Sequence, residues 1–246
     1  MNHGAWTRQL MRGAALVLLC ALALELVFAV RIAAMRVIDP QSTAFQRSEA
    51  WRLLVEKHRI EWSQTWVDAA RISPNLARAV IASEDAAFSE HAGIDWDAVE
   101  AAWAKNQRAE QRRASAPRPG KPPPKIVGGS TITQQLAKNL LLSGERTLAR
   151  KAQEFVLTLM LEALLDKRRI LEIYLNSVEW GEGLFGAQAA ARHYFRVDAA
   201  RLAPEQAARL AVMLPAPKRF EKRPGSPYVA GRAATIVARM GAVELP

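Results

Sequence analysis

The sequence predicts a mainly α protein, one helical domain behind a single N-terminal transmembrane helix. Three observations carry this. Apolar residues recur at helical spacing from residue 73 to residue 240, and period-two stretches are few. Helix starts are spelled out locally, as at Ser73-Pro74, with Ser placed to cap and Pro at the first helical position. Residues 14–30, AALVLLCALALELVFAV, form an apolar run interrupted only by Glu25.

Extended through Ile32 to Met35, that run reaches about 20 residues, enough to cross a bilayer. It is long for a cleaved signal peptide, and no clean small-x-small cleavage site follows before Arg31. Leu18 and Leu19 ahead of Cys20 argue against lipid attachment there. The expected organisation is a cytoplasmic tail at 1–12, an anchor at 13–35 and one domain at 45–246. Arg8 and Arg12 precede the span while Arg31 and Arg36 follow it, so charge alone does not orient it.

The 246 residues, half of them apolar, have room for one sizeable core. A formal charge of +10 points to an anionic partner: nucleic acid, anionic lipid or a phosphorylated substrate. The single cysteine, Cys20, excludes a disulfide framework and a cysteine-based zinc site.

Along the domain, residues 48–66 read as a helix followed by a short extended piece. A helix then runs through NLARAVIASEDAAF, with Leu76, Val80, Ile81 and Ala87 in the core and Gly93 placed to stop it. Helix resumes at Asp95 and reaches about Ala109. Residues 104–127 are assigned to a mobile basic loop, because their latter half is proline-rich and nearly devoid of apolar groups. Further helices are expected after Gly128-Gly129 and over 147–165, 167–176, 187–194, 204–213 and 228–240, with a loop at 218–227. The G-x-G-x-x-G at 181–186 follows KRRILEIYLN, which has helical rather than strand periodicity, so it is not a dinucleotide fingerprint. Its glycines suit tight turns or a close approach.

Three stretches carry chemistry. In SEDAAFSEH (83–91), Glu84, Phe88 and His91 would share a helix face, which fits a solvated surface, a metal site or an active-site wall. A metal cluster of His91 with Asp95 and Asp97 is the weakest of these. In GGSTITQQLAKN (128–139), the glycines, a capping Ser130 or Thr131 and a polar helix start suit an anion. Arg146, Arg150, Lys151 and Glu154 follow, with Glu154 spaced to pair with both Arg150 and Lys151. Together with Lys138 these supply four cations, the set of charged donors that a diphosphate needs.

In order, SEDAAFSEHAG, GGSTITQQLAKN, RKAQE, KRRILEIYLN and GEGLFG leading to AAARHYF resemble the motifs of the peptidoglycan glycosyltransferases, glycosyltransferase family 51. The length and the anchor resemble that family's monofunctional biosynthetic branch. The resemblance implies a mainly α, lysozyme-like fold that polymerises lipid II at the outer face of the cytoplasmic (inner) membrane, with the N-terminus inside. It implies that Glu84 takes the proton from the acceptor 4-hydroxyl and that Glu154 positions cations or assists departure of the lipid diphosphate. Lys138, Arg146, Arg150 and Lys151 would hold the diphosphate, while Thr131, Gln135 and Asn139 line the cleft. Asp85 would raise the basicity of Glu84 by like-charge repulsion, and Phe88 with His91 would order the loop. No cofactor is required, with a divalent cation the one group left open. Lipid II, the growing glycan strand and the membrane are the implied partners, along with cell-division or elongation proteins, and nucleic acid is not.

Two other readings compete. A hydrolase or lytic enzyme would use Glu84 as an acid toward a neutral leaving group and has no use for the cations. A non-catalytic membrane-anchored binder explains the charge but not the paired carboxylates.

Overall fold

The computed structural model of the chain describes residues 3–115, 128–145 and 147–246. Arg146 and the stretch 116–127 lie outside the described residues. The architecture is mainly α, with one small sheet.

Helix α1 (His3–Ala34) starts ten residues before the expected anchor, because Trp6, Leu10 and Met11 continue its apolar surface. Its segment Trp6–Ala34, 29 residues with mean hydropathy 2.5, is long and apolar enough to cross a membrane, and its most apolar stretch packs against nothing in the protein. The other end is fastened to the domain: Ile32 and Met35 are buried in the core. Arg36 Nε donates to the Leu164 carbonyl at 2.6 Å, and Arg169 Nε donates to the Met35 carbonyl at 2.7 Å. Helix α2 (Ala44–Lys57) begins with a reciprocal cap between Thr43 and Gln46.

One half of the core is a three-helix cluster of α3 (Pro74–Glu84), α9 (Pro204–Met213) and α11 (Pro227–Met240), each packed on the other two. Leu76, Ala79 and Val80 of α3 are fully buried within it. The other half places α5 (Ile132–Leu141) against α2, α6 (Leu148–Leu164) and α7 (Lys167–Ser177). Leu136, Leu140, Leu157, Leu161 and Ile170 close that interface.

The glycine-rich stretch forms a hairpin, β2 (Glu179–Gly181) and β3 (Leu184–Phe185), and β3 also pairs in parallel with β1 (Ser63–Gln64). Gly183 makes this junction: its φ is +69°, and a Cβ there would sit 2.0 Å from the Glu61 carbonyl oxygen. The close approach is therefore by the chain's own backbone. Asn176 locks α7 to the same region, its side chain exchanging hydrogen bonds with both the N–H and the C=O of Val67 at 3.0 and 2.9 Å. Helix α8 (Ala187–Phe195) follows, and a one-turn helix α10 (Pro217–Phe220) overlaps the start of the stretch expected as loop at 218–227.

Two boundaries depart from expectation. Helix α4 (Trp96–Ser115) continues through residues 104–115, which were assigned to the mobile loop. Alanine, glutamine, glutamate and arginine dominate there, all good helix formers, and Arg112 and Arg113 in the last turn suit the helix dipole. The first proline is at 117, beyond the helix. Helix α3 instead stops early, at Glu84, so Phe88 and His91 do not extend its face.

Candidate active site

Asp85 explains the early stop. It leaves α3 with φ −164° and ψ 74°, and its side chain turns inward. Oδ2 accepts the N–H of Ile132, the first residue of α5, at 2.9 Å, and Oδ1 meets His91 Nε2 at 2.8 Å. The Gly93 N–H donates to His91 Nδ1 at 3.1 Å, so that ring carries its proton on Nε2, toward Asp85. The N-terminus of α5, expected to receive a substrate anion, is thus filled by the protein's own carboxylate. Asp85 is 6 % exposed and borders the same cavity as Glu84, and both its oxygens tie α3, the 85–95 loop and α5 together.

Thr131 has a similar fate. It caps α5, its Oγ1 accepting from the Gln134 N–H at 3.2 Å and donating to the Gly93 carbonyl at 2.6 Å. Thr131 borders the Glu84 cavity, as expected of a cleft residue, with its hydroxyl engaged within the protein. Phe88 is fully buried, with Lys167 Nζ 4.5 Å from its ring centroid.

Glu84, at the end of α3, faces the other way. It borders a cavity of about 420 Å³ that also reaches Lys105 of α4, the 128–130 segment and Arg239 of α11. Its Oε2 accepts from Gln135 Nε2 at 3.0 Å, and Oε1 has only a long contact of 3.4 Å from Ser83 Oγ. The amide of Gln135 is oriented in turn: its Oε1 accepts from the hydroxyl of the buried Tyr174 at 3.0 Å. Tyr174 therefore fixes which end of the amide faces the carboxylate. Burial, first of all, pushes the Glu84 pKa up; Gln135 and Ser83 oppose this, and repulsion from Asp85 is the smallest contribution. The like-charge effect expected from Asp85 is present, in the expected direction, but is subordinate to desolvation.

On the other side of Gln135 lies a second cavity, of about 370 Å³, lined by Gln135, Lys138, Asn139 and Arg150 among others. Arg150 is anchored by Glu154, whose Oε2 accepts from its Nη1 at 3.1 Å, while its buried Nε–H has no acceptor among the described residues. Lys151 pairs with the other Glu154 oxygen, Oε1. Glu154, 3 % exposed, lines neither cavity and serves to hold the two cations. Both of its oxygens are engaged, and no three His, Cys, Asp or Glu side chains gather to hold a metal among the described residues. The donors beside Glu154 do not fit a divalent cation.

The transglycosylase family profile matches residues 53–241. The chain belongs to the transglycosylase family. A biosynthetic peptidoglycan transglycosylase of Burkholderia thailandensis is 54 % identical over 225 residues, covering 92 % of this chain and 83 % of the relative. A protein of the same description from Paraburkholderia xenovorans is 49 % identical over 233 residues, covering 94 % and 91 %. The mainly α, lysozyme-like fold and the glycosyltransferase activity expected from the motifs are those of this family.

In this transglycosylase, the residues brought together around Gln135 are Glu84, Lys138, Asn139 and Arg150; Lys151 and Glu154 stand behind Arg150. Two residues of the site escaped the sequence. Tyr174 looks like any apolar-face residue of α7, and nothing local ties it to Gln135. Glu179 lines the cationic cavity yet is only 6 % exposed, and its pKa is pushed up to about 7 by burial, with nearby Glu49 and Glu221 adding repulsion and Lys218 opposing. A glutamate inside the otherwise uncharged SVEWG was the signal available.

Proposed function

We infer that this transglycosylase polymerises peptidoglycan glycan strands from lipid II, releasing undecaprenyl diphosphate. The observation that carries the reading is Glu84, a desolvated carboxylate on one cavity, joined through Gln135 to a second cavity walled by Lys138 and Arg150. Glu84 takes the proton of the acceptor 4-hydroxyl, and the freed oxygen attacks the anomeric carbon of the donor. The bond from that carbon to the phosphate oxygen breaks, and the diphosphate leaves with the electron pair. Lys138, Arg150 and Lys151 stabilise the leaving charge, with the unpartnered Arg150 Nε–H available as a donor. A neutral sugar leaving group would need an acid in place of these cations, which disfavours hydrolysis.

The reading places α1 across the inner membrane, with its N-terminus in the cytoplasm and the domain outside. Helix α6, which packs against α1, exposes Phe155, Val156 and Leu159, an apolar strip beside the anchor that suits the bilayer surface. The substrate's lipid tail would lie on that side.

The test is incubation of the purified full chain with labelled lipid II. Polymer is expected, and shortening of preformed glycan without polymer would overturn the reading. Glu84→Gln should remain folded by circular dichroism and lose about 10²–10⁴ in turnover, the range for a positioned base.

A further inference from the structure

A third cavity, of about 190 Å³, opens beside the other two. It shares Ser83 with the Glu84 cavity, and its wall at Pro215 and Ala216 alternates with Leu214 and Pro217, which face the cationic cavity. Two arginines line it, Arg219 after the α9–α10 turn and Arg232 of α11. Both are exposed, and neither pairs with a carboxylate among the described residues, whereas Arg52, Arg150 and Arg169 are each held by one or more. Between them Phe220 and Tyr228 stack in parallel, ring centroids 5.8 Å apart, and the Arg219 guanidinium lies 5.6 Å from the Phe220 ring. Arg239, seven residues beyond Arg232 and on the same face of α11, continues the cationic track into the Glu84 cavity.

We propose that this cavity is a subsite for the acidic peptide borne by the sugar at Glu84, with Arg219 and Arg232 pairing with its carboxylates and Phe220–Tyr228 as a platform. The proposal rests on the peptidoglycan reading, since it is the peptide substituent of that polymer that carries free carboxylates. Position favours the peptide over the lipid diphosphate: α11 packs on α3 and α9, whereas the membrane helix packs on α6. A planar guanidinium held over an aromatic ring offers two parallel donors to a carboxylate, which a lysine in its place would not.

The test uses the full chain and two substrates, lipid II with its native peptide and the same molecule with the peptide carboxylates amidated. For native lipid II, Arg219→Ala and Arg232→Ala should each raise KM about tenfold, the loss of one charge-assisted hydrogen bond, with kcat little changed. On the amidated substrate, wild type and variants should share one KM. No change with either variant, or an equal rise on both substrates, would overturn the proposal, the second result assigning the arginines to the diphosphate or lipid headgroup. Binding of a water-soluble disaccharide-peptide, lacking lipid and diphosphate, supplies a readout independent of turnover. Calorimetry should show binding to wild type and none to the Arg219→Ala/Arg232→Ala double variant. If wild type polymerises lipid II but does not bind the fragment, the subsite falls while the function stands.

Discussion

Glu84 and Asp85 are neighbours with opposite duties, and the difference is one of direction. Asp85 is turned inward, onto a backbone N–H and a histidine, whereas Glu84 remains at a cavity edge with one oxygen nearly free. Replacing Asp85 by Asn should keep the shape but remove the charge facing His91 and the α5 terminus. A loss of about 1–3 kcal/mol in stability is expected, read by urea unfolding. Tyr174→Phe removes the hydroxyl that orients Gln135. It should lower kcat and shift the acid limb of the pH–kcat profile, because Gln135 lowers the Glu84 pKa when its Nε2 faces that carboxylate. A purely structural tyrosine would leave the profile where it was.

Glu179 makes a separate prediction. Its folded pKa, about 7, lies above the ordinary carboxylate value of 4.5, so folding favours its protonated form. Below pH 4.5 the group is protonated in both states and costs nothing. Between pH 4.5 and 7 the unfolded chain ionises first, and stability falls as pH rises. Glu179→Gln should therefore gain thermal stability relative to wild type as pH increases across that window and hold the gain above pH 7. A difference in Tm that does not vary with pH would contradict this.

At the scale of elements, the junction of α3 with α5 decides the site, and Gly93 is its pivot. Its φ is +86°, and a Cβ would lie 2.8 Å from atoms of Thr158 and Glu162 on α6. The same residue donates its N–H to His91 and accepts from Thr131. Gly93→Ala should destabilise the loop and α5 together, which hydrogen exchange would report as lost protection over both segments. Most elements were legible locally: α9 spans the expected 204–213, and α6, α7, α8 and α11 differ by a residue or so at their ends. Where local reading failed, a distant partner was responsible. Helix α3 ends at Glu84 because the N-terminus of α5, 47 residues on, takes the side chain of Asp85. Helix α4 outran its expected end for a different reason, since low apolar content argued against a packed core but not against a solvated helix.

Over the whole molecule, the anchor and the domain are one structure. Ile32 and Met35 belong to the core, and Arg36 and Arg169 bind backbone carbonyls across the junction. A chain truncated to begin at Arg31 should therefore fold with nearly full stability, whereas one beginning at Val37 should lose about 2–5 kcal/mol for each large core side chain removed. Equal denaturant midpoints for the two would show that the junction contributes nothing.

The sequence by itself determined the helical class, the single apolar span, the family and the identity of the groups that can do chemistry: these depend on periodicity and on motif residues a few positions apart. Tertiary structure decided where each of those groups points and what it meets. It turned Asp85 and Thr131 inward, set Tyr174 behind Gln135, put Glu179 on the cationic cavity and brought Arg219 and Arg232 beside Ser83. Side-chain direction at a helix end and the burial that shifts a pKa both come from residues far away in the chain, and no local pattern encodes them.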